Sequence, residues 1–348
     1  MEFSHRNYHD IAEILMAKVQ IHRQNLYDNM DIFVQKLGSI DKLCVGLKDN
    51  AYGHGIQTIA KLCKSYGIKQ VFVRNIQEAK IVSSIGFQSI HILNEIPKIK
   101  TSYDITINSL DDIKHIVKNS KVQLKLDTGM HRNGIITSEI PEAIDLIISN
   151  NLKLSGVFSH LCCADENNDK TKTQEKIYQN AIKQISCGEF FEKHIANSSG
   201  VFKVNNNLYD KARVGIGIYG YIDIPEIQKN LKPVLSLLSS KNSTRVINKG
   251  ETVGYGSSSF VSCEDNFVVS NYDIGYGDGF FRINENQTYK TPSGKQILGR
   301  VSMDNFSVQG DSDEVVLFDD VRKLAKLHNT ITYEILTNIS HKLPRTII

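Results

Sequence analysis

The feature that most constrains the fold is a regular alternation of short β-rich runs and helix-period segments from residue 42 to about residue 220. Such runs predict strands, and the segments between them have the apolar spacing of helices. The predicted strands are residues 42–48, 69–75, 88–94, 104–109, 121–129, 153–161, 193–199 and 209–218. Eight strand–helix units favour a parallel (β/α)8 barrel, with an open doubly wound sheet as the alternative.

Helices are predicted between the strands, and one intervening segment is exceptional. Pro97 interrupts the segment after the third strand, where the helical pattern is weak. The helices are predicted at residues 54–66, 76–85, 110–119, 138–150 and 169–186.

The pattern changes near Pro233, where short strand-like runs are separated by turn signals. Their spacing and turn residues predict a mainly antiparallel β domain over residues 233–348, after a barrel domain over residues 1–232. A helical segment near residues 321–328 and the run "TYEILTNIS" close the chain. The fold class is therefore α/β, with a second β domain.

Composition excludes several classes of partner. Of 348 residues, 41% are hydrophobic and 23% charged, and the net charge of +3 is spread without blocks of like charge. Nucleic acid and anionic membranes are therefore not expected as partners. The chain has no run of 18 apolar residues and its opening residues do not resemble a signal peptide, which predicts a cytoplasmic protein.

The six cysteines show no C-x-x-C spacing, and several lie inside apolar runs. We interpret them as reduced, packing cysteines rather than zinc ligands or disulfides, and expect no metal. They are Cys44, Cys63, Cys162, Cys163, Cys187 and Cys263.

Polar groups follow five of the eight predicted strands. Lys48 ends the first strand, "KLDTGMHRNG" the fifth, His160 the sixth, "NSSG" the seventh, and "RVGIG" lies on the eighth. A lone histidine is more often structural, and a lone lysine at a strand end is usually a solvated rim residue. In a barrel, however, all five ends meet on the face that carries active sites, which predicts a catalytic site there.

Two of these ends predict an anion site. In barrels, phosphate often binds between the loops after strands seven and eight, where "NSSG" and "VGIG" lie. The three glycines Gly215, Gly217 and Gly220 also spell G-x-G-x-x-G, but this run follows eight strands instead of opening the first unit. It is therefore a poor dinucleotide motif. A phosphorylated cofactor beside a strand-end lysine suggests pyridoxal phosphate, since a lysine amine can hold its aldehyde as a Schiff base.

Nine motifs in order over both domains make the chain resemble the bacterial alanine racemases from about Val19 to Arg345. The resemblance implies a pyridoxal phosphate enzyme that supplies D-alanine for peptidoglycan and forms a homodimer with shared active sites. It also implies that a first strand, near residues 17–21, joins the β domain. The motifs are "VGLKDNAYGHG", "KLDTGMHRNG", "SHL", "NSSG", "RVGIGIYG", "VGYGSSS", "DIGYGDGFFR", "GRVSMDN" and "TYEILTNISHKLPR".

The resemblance assigns two catalytic bases. Lys48 matches the Schiff-base lysine that also removes the α-proton of D-alanine, and Tyr255 matches the opposing base, contributed by the other subunit. Two groups on opposite sides suit a reaction that takes a proton from one face and returns it to the other. Besides Lys48, the residues matching cofactor-binding positions are Tyr52, His160, Ser198, Arg213, Gly215, Ile216 and Tyr333.

Four further residues match positions around the substrate. Arg132 and Met303 match substrate-binding positions, Tyr276 matches a gate residue, and Lys125 matches a lysine that is carbamylated in many relatives. Met303 also has an ordinary packing interpretation, and Tyr276 that of an interface tyrosine.

Arg213 carries the mechanistic content of the resemblance. It matches the arginine that faces the pyridine nitrogen, and an arginine is always charged and can only donate. The ring nitrogen beside it must then accept a hydrogen bond unprotonated. The ring is a poorer electron sink for that reason, which limits transamination.

The sequence departs from the family pattern at a few positions. Asp49 follows the Schiff-base lysine where small residues are common, and strand alternation predicts that it points away from the cofactor with little effect. His131, Asn133 and Ser302 bear on substrate range.

Three other functions stay open from the sequence. One is a non-catalytic pyridoxal phosphate-binding barrel, which the β domain and Tyr255 argue against. Another is a decarboxylase of the same fold type, which would place an acid where Arg213 stands. The third is a racemase of broader specificity, acting on serine or lysine, because a few pocket side chains set specificity.

Overall fold

The computed structural model describes residues 17–185, 190–256, 260–283 and 287–348. It contains two compact units. The first is Arg23–Lys232, and the second combines the chain up to His22 with Pro233–Ile348.

The strand β1 belongs to the second unit, and the first unit contains one parallel sheet of eight strands in the order β8-β7-β6-β5-β4-β3-β2-β9. Backbone hydrogen bonds from Asp210 to Lys193 and from Arg213 to Ala196, both 2.9 Å, join the two outer strands. Neighbours in the chain are thus neighbours in a nearly closed sheet, which confirms the barrel and excludes the open doubly wound sheet. The strands are β1 (Lys18–Ile21), β2 (Leu43–Gly46), β3 (Gln70–Val73), β4 (Ser89–Ile92), β5 (Asp104–Ile107), β6 (Lys121–Lys125), β7 (Lys153–Phe158), β8 (Glu192–His194) and β9 (Ala212–Val214).

Each predicted barrel strand overlaps one of β2–β9, and every observed strand is shorter than predicted. The excess lies mostly at the carboxyl ends, where the chain leaves the sheet and the candidate functional residues follow. Helices at all five predicted places are confirmed, and residues 93–103, around Pro97, contain none. The helices are Ile56–Tyr66, Ile76–Ser83, Leu110–His115, Ile140–Ser149 and Lys170–Ile182.

The sequence reasoning missed the helix Arg23–Leu37, which precedes the first barrel strand. Leu26, Met30 and Phe33 are buried on one side of it. Their spacing of four and three residues is the helical period, so the signal was present in the sequence. A short helix, Pro225–Gln228, was also not predicted.

The second unit contains a mainly antiparallel sheet, as predicted. Its order is β12-β13-β11-β10-β1-β15, and β14 also pairs with β10. The short β1 pairs antiparallel with β10 and parallel with β15. The strands are β10 (Leu235–Ile247), β11 (Phe267–Tyr272), β12 (Ile297–Leu298), β13 (Phe306–Gln309), β14 (Glu314–Phe318) and β15 (Arg345–Ile347).

Two helices complete the second unit. Arg322–Leu327 confirms the helix predicted near residues 321–328, and Thr332–Asn338 covers most of the closing motif. In the parts of the chain that the structure describes, no helix is long and apolar enough to cross a membrane.

The cysteines are only partly as predicted. Cys44 and Cys63 are free thiols buried in the barrel unit, as packing cysteines should be. Cys162 and Cys163 are half-buried and Cys263 is exposed, so the packing interpretation is wrong for these three. The sixth, Cys187, lies outside the described residues.

Candidate active site

Lys48 begins a left-handed turn directly after β2. The next four residues, Asp49, Asn50, Ala51 and Tyr52, all have φ between 52° and 55°. Aspartate and asparagine tolerate this region, but it costs roughly 1–2 kcal/mol for residues such as alanine and tyrosine. Consecutive residues in so unfavourable a conformation persist only where their surroundings hold them, as functional sites often do.

Hydrogen bonds from neighbouring elements hold this turn. The Glu78 carboxylate accepts from the backbone N–H of Asn50 at 3.0 Å and from that of Arg74 at 2.8 Å. The Asn50 side chain accepts from the Ile56 N–H at 2.9 Å, where the following helix begins. The turn is thus tied through Glu78 to the end of β3 and to the helix Ile76–Ser83. It is also tied through Asn50 to the start of the helix Ile56–Tyr66.

The prediction that Asp49 points away from the site is wrong. Its Oδ2 lies 2.9 Å from the Lys48 Nζ, and its Oδ1 lies 3.1 Å from an Arg74 nitrogen. Strand alternation does not apply here, because the chain leaves the extended conformation at this point. Burial alone would raise the pKa of the Asp49 carboxyl, but the hydrogen bonds and charges of Lys48 and Arg74 outweigh it and lower the pKa overall.

Arg213, on β9, is 4% exposed and held on several sides. Its guanidinium donates to the Ser159 carbonyl at 2.7 Å, contacts His194 Nδ1 at 2.5 Å and His160 Nδ1 at 3.4 Å. It also lies 4.6 Å from the centre of the Phe158 ring. Burial lowers the pKa of Arg213 to about 10, so the group stays charged at neutral pH.

Burial and the charges of Arg213, Arg132, Lys125 and Lys48 lower the pKa of His160 to about 3. His160 is therefore neutral at physiological pH. That four cations act on one imidazole shows that the structure brings these predicted residues together. Burial, with Arg132 and Arg213, also lowers the pKa of Lys125 to about 8.

The loops after the last two barrel strands form a tight cradle. The Ser198 hydroxyl accepts from the N–H groups of Gly215 and Gly217, both at 3.2 Å. A Cβ on Gly215 would lie 2.1 Å from the Tyr52 hydroxyl oxygen, so only glycine fits beside that tyrosine. Ile216 starts the short helical turn that follows.

This donor set fits pyridoxal phosphate. Hydroxyl groups and backbone N–H groups on small residues suit a phosphate. The Lys48 amine suits the aldehyde, and the Arg213 donors suit a ring nitrogen that accepts. Each of these groups belongs to the barrel unit.

The remaining predicted site residues lie in the second unit, and all are exposed there. Tyr255 is 65% exposed, Met303 55% and Tyr276 45%. Tyr276 and Met303 lie side by side, because the Tyr276 N–H donates to the Ser302 carbonyl at 3.1 Å. Tyr333 lies on the helix Thr332–Asn338 and is also partly exposed.

Comparison with known proteins identifies the family. The family model described as alanine racemase, N-terminal domain, matches residues 21–254, and the model of the C-terminal domain matches residues 234–347. The chain belongs to the alanine racemase family. A protein called alanine racemase from a Nitratiruptor species is 37% identical over 341 residues, covering 95% of this chain and 99% of the relative.

Solved structures of alanine racemases have the same fold. The alanine racemase of Clostridium difficile 630 matches with a TM-score of 0.86 and 26% identity, covering 96% of each chain. The alanine racemase of Bartonella henselae, solved with covalently bound pyridoxal phosphate, matches with a TM-score of 0.82 and 24% identity, covering 96% of this chain and 99% of that one.

The sequence reasoning missed one partner of Arg213. His194, at the end of β8, is fully buried between the Arg213 guanidinium and the Gln123 side chain, whose oxygen lies 2.9 Å from His194 Nε2. Burial lowers the pKa of His194 well below its ordinary value, so it is a neutral hydrogen-bonding partner. The available signal was weak, a single histidine inside the mixed polar and apolar strand predicted at residues 193–199.

Proposed function

We propose that this member of the alanine racemase family interconverts L-alanine and D-alanine with pyridoxal phosphate, by a two-base mechanism. The observation that carries the proposal is the barrel end that combines Lys48 with a buried, charged Arg213. The names of its relatives support the reaction, and covalently bound pyridoxal phosphate in the Bartonella henselae protein supports the cofactor.

Each part of the cofactor has residues to hold it. The Lys48 amine would form the covalent link, and Arg213 would donate to the pyridine nitrogen. Ser198, Tyr52 and Tyr333 would bind the phosphate, together with the backbone of Gly215 and Ile216. When bound, pyridoxal phosphate supplies the electron withdrawal that makes the α-hydrogen of the amino acid acidic.

Two bases then move the proton. Lys48 takes or returns it on the face of D-alanine, and Tyr255 of the partner subunit acts on the face of L-alanine. Because Arg213 can only donate, it leaves the ring nitrogen without a proton and restrains competing transamination. His160, neutral beside Arg213, supports the guanidinium without adding charge.

Arg132 is proposed to bind the substrate carboxylate, with help from the backbone of Met303 in the partner subunit. Tyr276 is proposed to gate access beside it. Lys125 is proposed to be carbamylated, because a pKa of about 8 leaves about a tenth of its amine uncharged at pH 7 and able to add carbon dioxide. The resulting anion would orient Arg132.

The proposed assembly is a homodimer in which each β unit covers the barrel end of the other chain. The support is the exposure of Tyr255, Met303 and Tyr276 on one unit, since large exposed side chains often mark interaction surfaces. We further propose a cytoplasmic enzyme that supplies D-alanine for peptidoglycan. Free buried thiols such as Cys44 and Cys63 suit a reducing compartment.

Chemical trapping and an assay test the proposal together. Borohydride treatment of the purified protein should fix the cofactor on Lys48, found by peptide mass spectrometry, and Lys48→Ala should lose the visible absorbance and the racemase activity. Lys69→Ala, which removes a surface lysine paired with Asp41, is the matched control and should change neither. Recovery of the label on another lysine would refute the assignment.

A panel of L-amino acids tests the substrate. We expect D-enantiomer to form fastest from alanine. Faster turnover of serine or lysine would reassign the substrate while keeping the reaction, and no turnover of any amino acid would favour a binding protein.

A further inference from the structure

The acidic residue next to the proposed cofactor lysine has no assigned part in the reaction. Asp49 and Lys48 form an ion pair of 2.9 Å in which both side chains are about one-third exposed or less. The left-handed backbone of Asp49 turns its carboxylate toward the lysine that precedes it. The contact is therefore made where the backbone is held in an unusual conformation, between two partly buried side chains.

Asp49 is shared between two cations. Its second oxygen lies 3.1 Å from the guanidinium of Arg74, whose side chain is mostly exposed. Glu78 does not compete for that guanidinium in this arrangement, because its carboxylate accepts the backbone N–H groups of Arg74 and Asn50. Arg74 thus draws on the same carboxylate that stabilises the Lys48 ammonium.

The other charged groups near Lys48 make such a counter-ion useful. The charges of Arg213, Arg132, Lys125 and Lys48 all act on His160, so several cations lie at this barrel end. The Lys48 ammonium also lies 5.0 Å from the centre of the Tyr52 ring. Asp49 adds a carboxylate beside Lys48 within this group of cations.

We propose that Asp49 is a positioning residue that holds the Lys48 side chain through their ion pair, and that Arg74 moderates this hold by sharing the carboxylate. The inference rests on the proposed role of Lys48. In the cofactor-free protein, the pair keeps the lysine in place and lowers the reactivity of its amine. During turnover, Asp49 stabilises Lys48 each time it carries the proton taken from the substrate.

The experiment measures amine reactivity in the full-length, cofactor-free protein. A trace of acetic anhydride acylates an amine only when its nitrogen lone pair is free; the nitrogen attacks the carbonyl, acetate leaves and the nitrogen loses its proton. Mass spectrometry of the Lys48 peptide gives the rate. A second reading is the rate at which added pyridoxal phosphate develops visible absorbance.

Three variants give opposed expectations. Asp49→Asn keeps a residue that tolerates the left-handed region and removes the charge, so Lys48 should react about threefold faster, the factor for a partly exposed ion pair of ordinary strength. Arg74→Gln leaves Asp49 wholly to Lys48, so the amine should react more slowly than in the wild type. Asp41→Asn, which breaks the 2.7 Å surface pair with Lys69, should leave Lys48 at the wild-type rate.

Each result supports or overturns one part of the inference. A wild-type or slower rate in Asp49→Asn, with circular dichroism showing a folded chain, would overturn the inference, and an unchanged rate in Arg74→Gln would overturn the sharing. The proposed function fails separately: if Lys48 responds as expected but borohydride fixes the cofactor elsewhere, the ion pair stands and the cofactor assignment does not.

Discussion

The two units of the chain present their candidate catalytic residues in opposite ways. In the barrel unit, Arg213 and Lys125 are buried, and burial lowers the pKa of both; the charges of Arg132 and Arg213 lower the pKa of Lys125 further. In the β unit, Tyr255 and Met303 are more than half exposed. The candidate residues of the barrel unit therefore lie in an environment supplied by their own chain, whereas those of the β unit are exposed.

This difference bears on the proposed role of Tyr255 as a base. An ordinary tyrosine has a pKa of about 10 and is a weak base at neutral pH. The predictions below test whether the barrel is complete by itself and whether the β unit depends on a partner.

The largest effect is expected from mixing two inactive variants. Lys48→Ala and Tyr255→Phe homodimers should each be nearly inactive, because every active site lacks one base. Unfolded together and refolded in equal amounts, about half of the dimers should be mixed, and each mixed dimer has one intact site. Racemase activity should therefore return to about a quarter of the wild-type value.

The control for this experiment is to refold each variant alone, which should recover nothing. Mass spectrometry under native conditions must show the mixed dimers. If they form and activity stays absent, the sites are not shared, and the exposure of Tyr255 needs another explanation.

The next effect concerns the buried arginine. Arg213→Glu should lower racemisation by about 10²- to 10³-fold, the usual cost of losing a preorganised donor, and should raise pyruvate formation by transamination. Arg213→Lys keeps a donor and a positive charge, so it should lose less activity and form no extra pyruvate. Chiral chromatography and a pyruvate assay measure both products, and equal pyruvate from the two variants would contradict the role given to Arg213.

A pH dependence is expected at Lys125. Its pKa is lowered from 10.5 to about 8, so the uncharged amine that adds carbon dioxide is abundant at pH 8. The uncharged fraction should fall to about 1% at pH 6. With ¹³C-bicarbonate, a carbamate signal in NMR should be strong at pH 8, weak at pH 6 and absent in Lys125→Arg. A carbamate signal that does not depend on pH would show that the modification is not controlled by the protonation of the Lys125 amine.

The smallest effect is expected at the phosphate cradle. Ser198→Ala removes the acceptor for two backbone N–H groups and should cost about 1 kcal/mol of stability and weaken cofactor binding several-fold. Ser39→Ala removes an acceptor for the Asp41 N–H in the same unit, so it should cost similar stability without changing cofactor affinity. Urea unfolding and cofactor titration compare the two variants. An equal loss of cofactor affinity in both would contradict a phosphate-binding role for Ser198.

Sequence reasoning was strongest where periodicity decides structure. All eight barrel strands were found because strand-like runs repeat between helical segments. Lys48, His160 and Arg213 were predicted as site residues because barrel sites lie at strand ends, and that assignment stays a prediction. It failed at Asp49, because a rule for extended chains was applied where four left-handed residues follow. No local sequence pattern predicts such a turn, because it is held by a hydrogen bond from the Asn50 N–H to Glu78, which lies far away in the sequence.

It also missed His194, which hydrophobic patterning treats as an anomaly in a strand rather than as the partner of a buried guanidinium. Contacts of this kind join residues that are far apart in the chain, and only the folded barrel shows them. The exposure of Tyr255 was equally beyond the sequence, because the motif gives the residue but not its surroundings.

The pairing of β1 has a consequence for how the chain is made. β1 is synthesised before the barrel, yet its partners are β10 and β15, which leave the ribosome after the barrel is finished. The barrel, Arg23–Lys232, can therefore fold during translation while β1, in which polar and apolar side chains alternate, still has no pairing partner. The β unit closes only when Arg345–Ile347 arrives beside Val19. Pausing synthesis between the two units should thus produce a folded barrel preceded by the unpaired strand β1. Chaperone capture of such stalled chains should require β1.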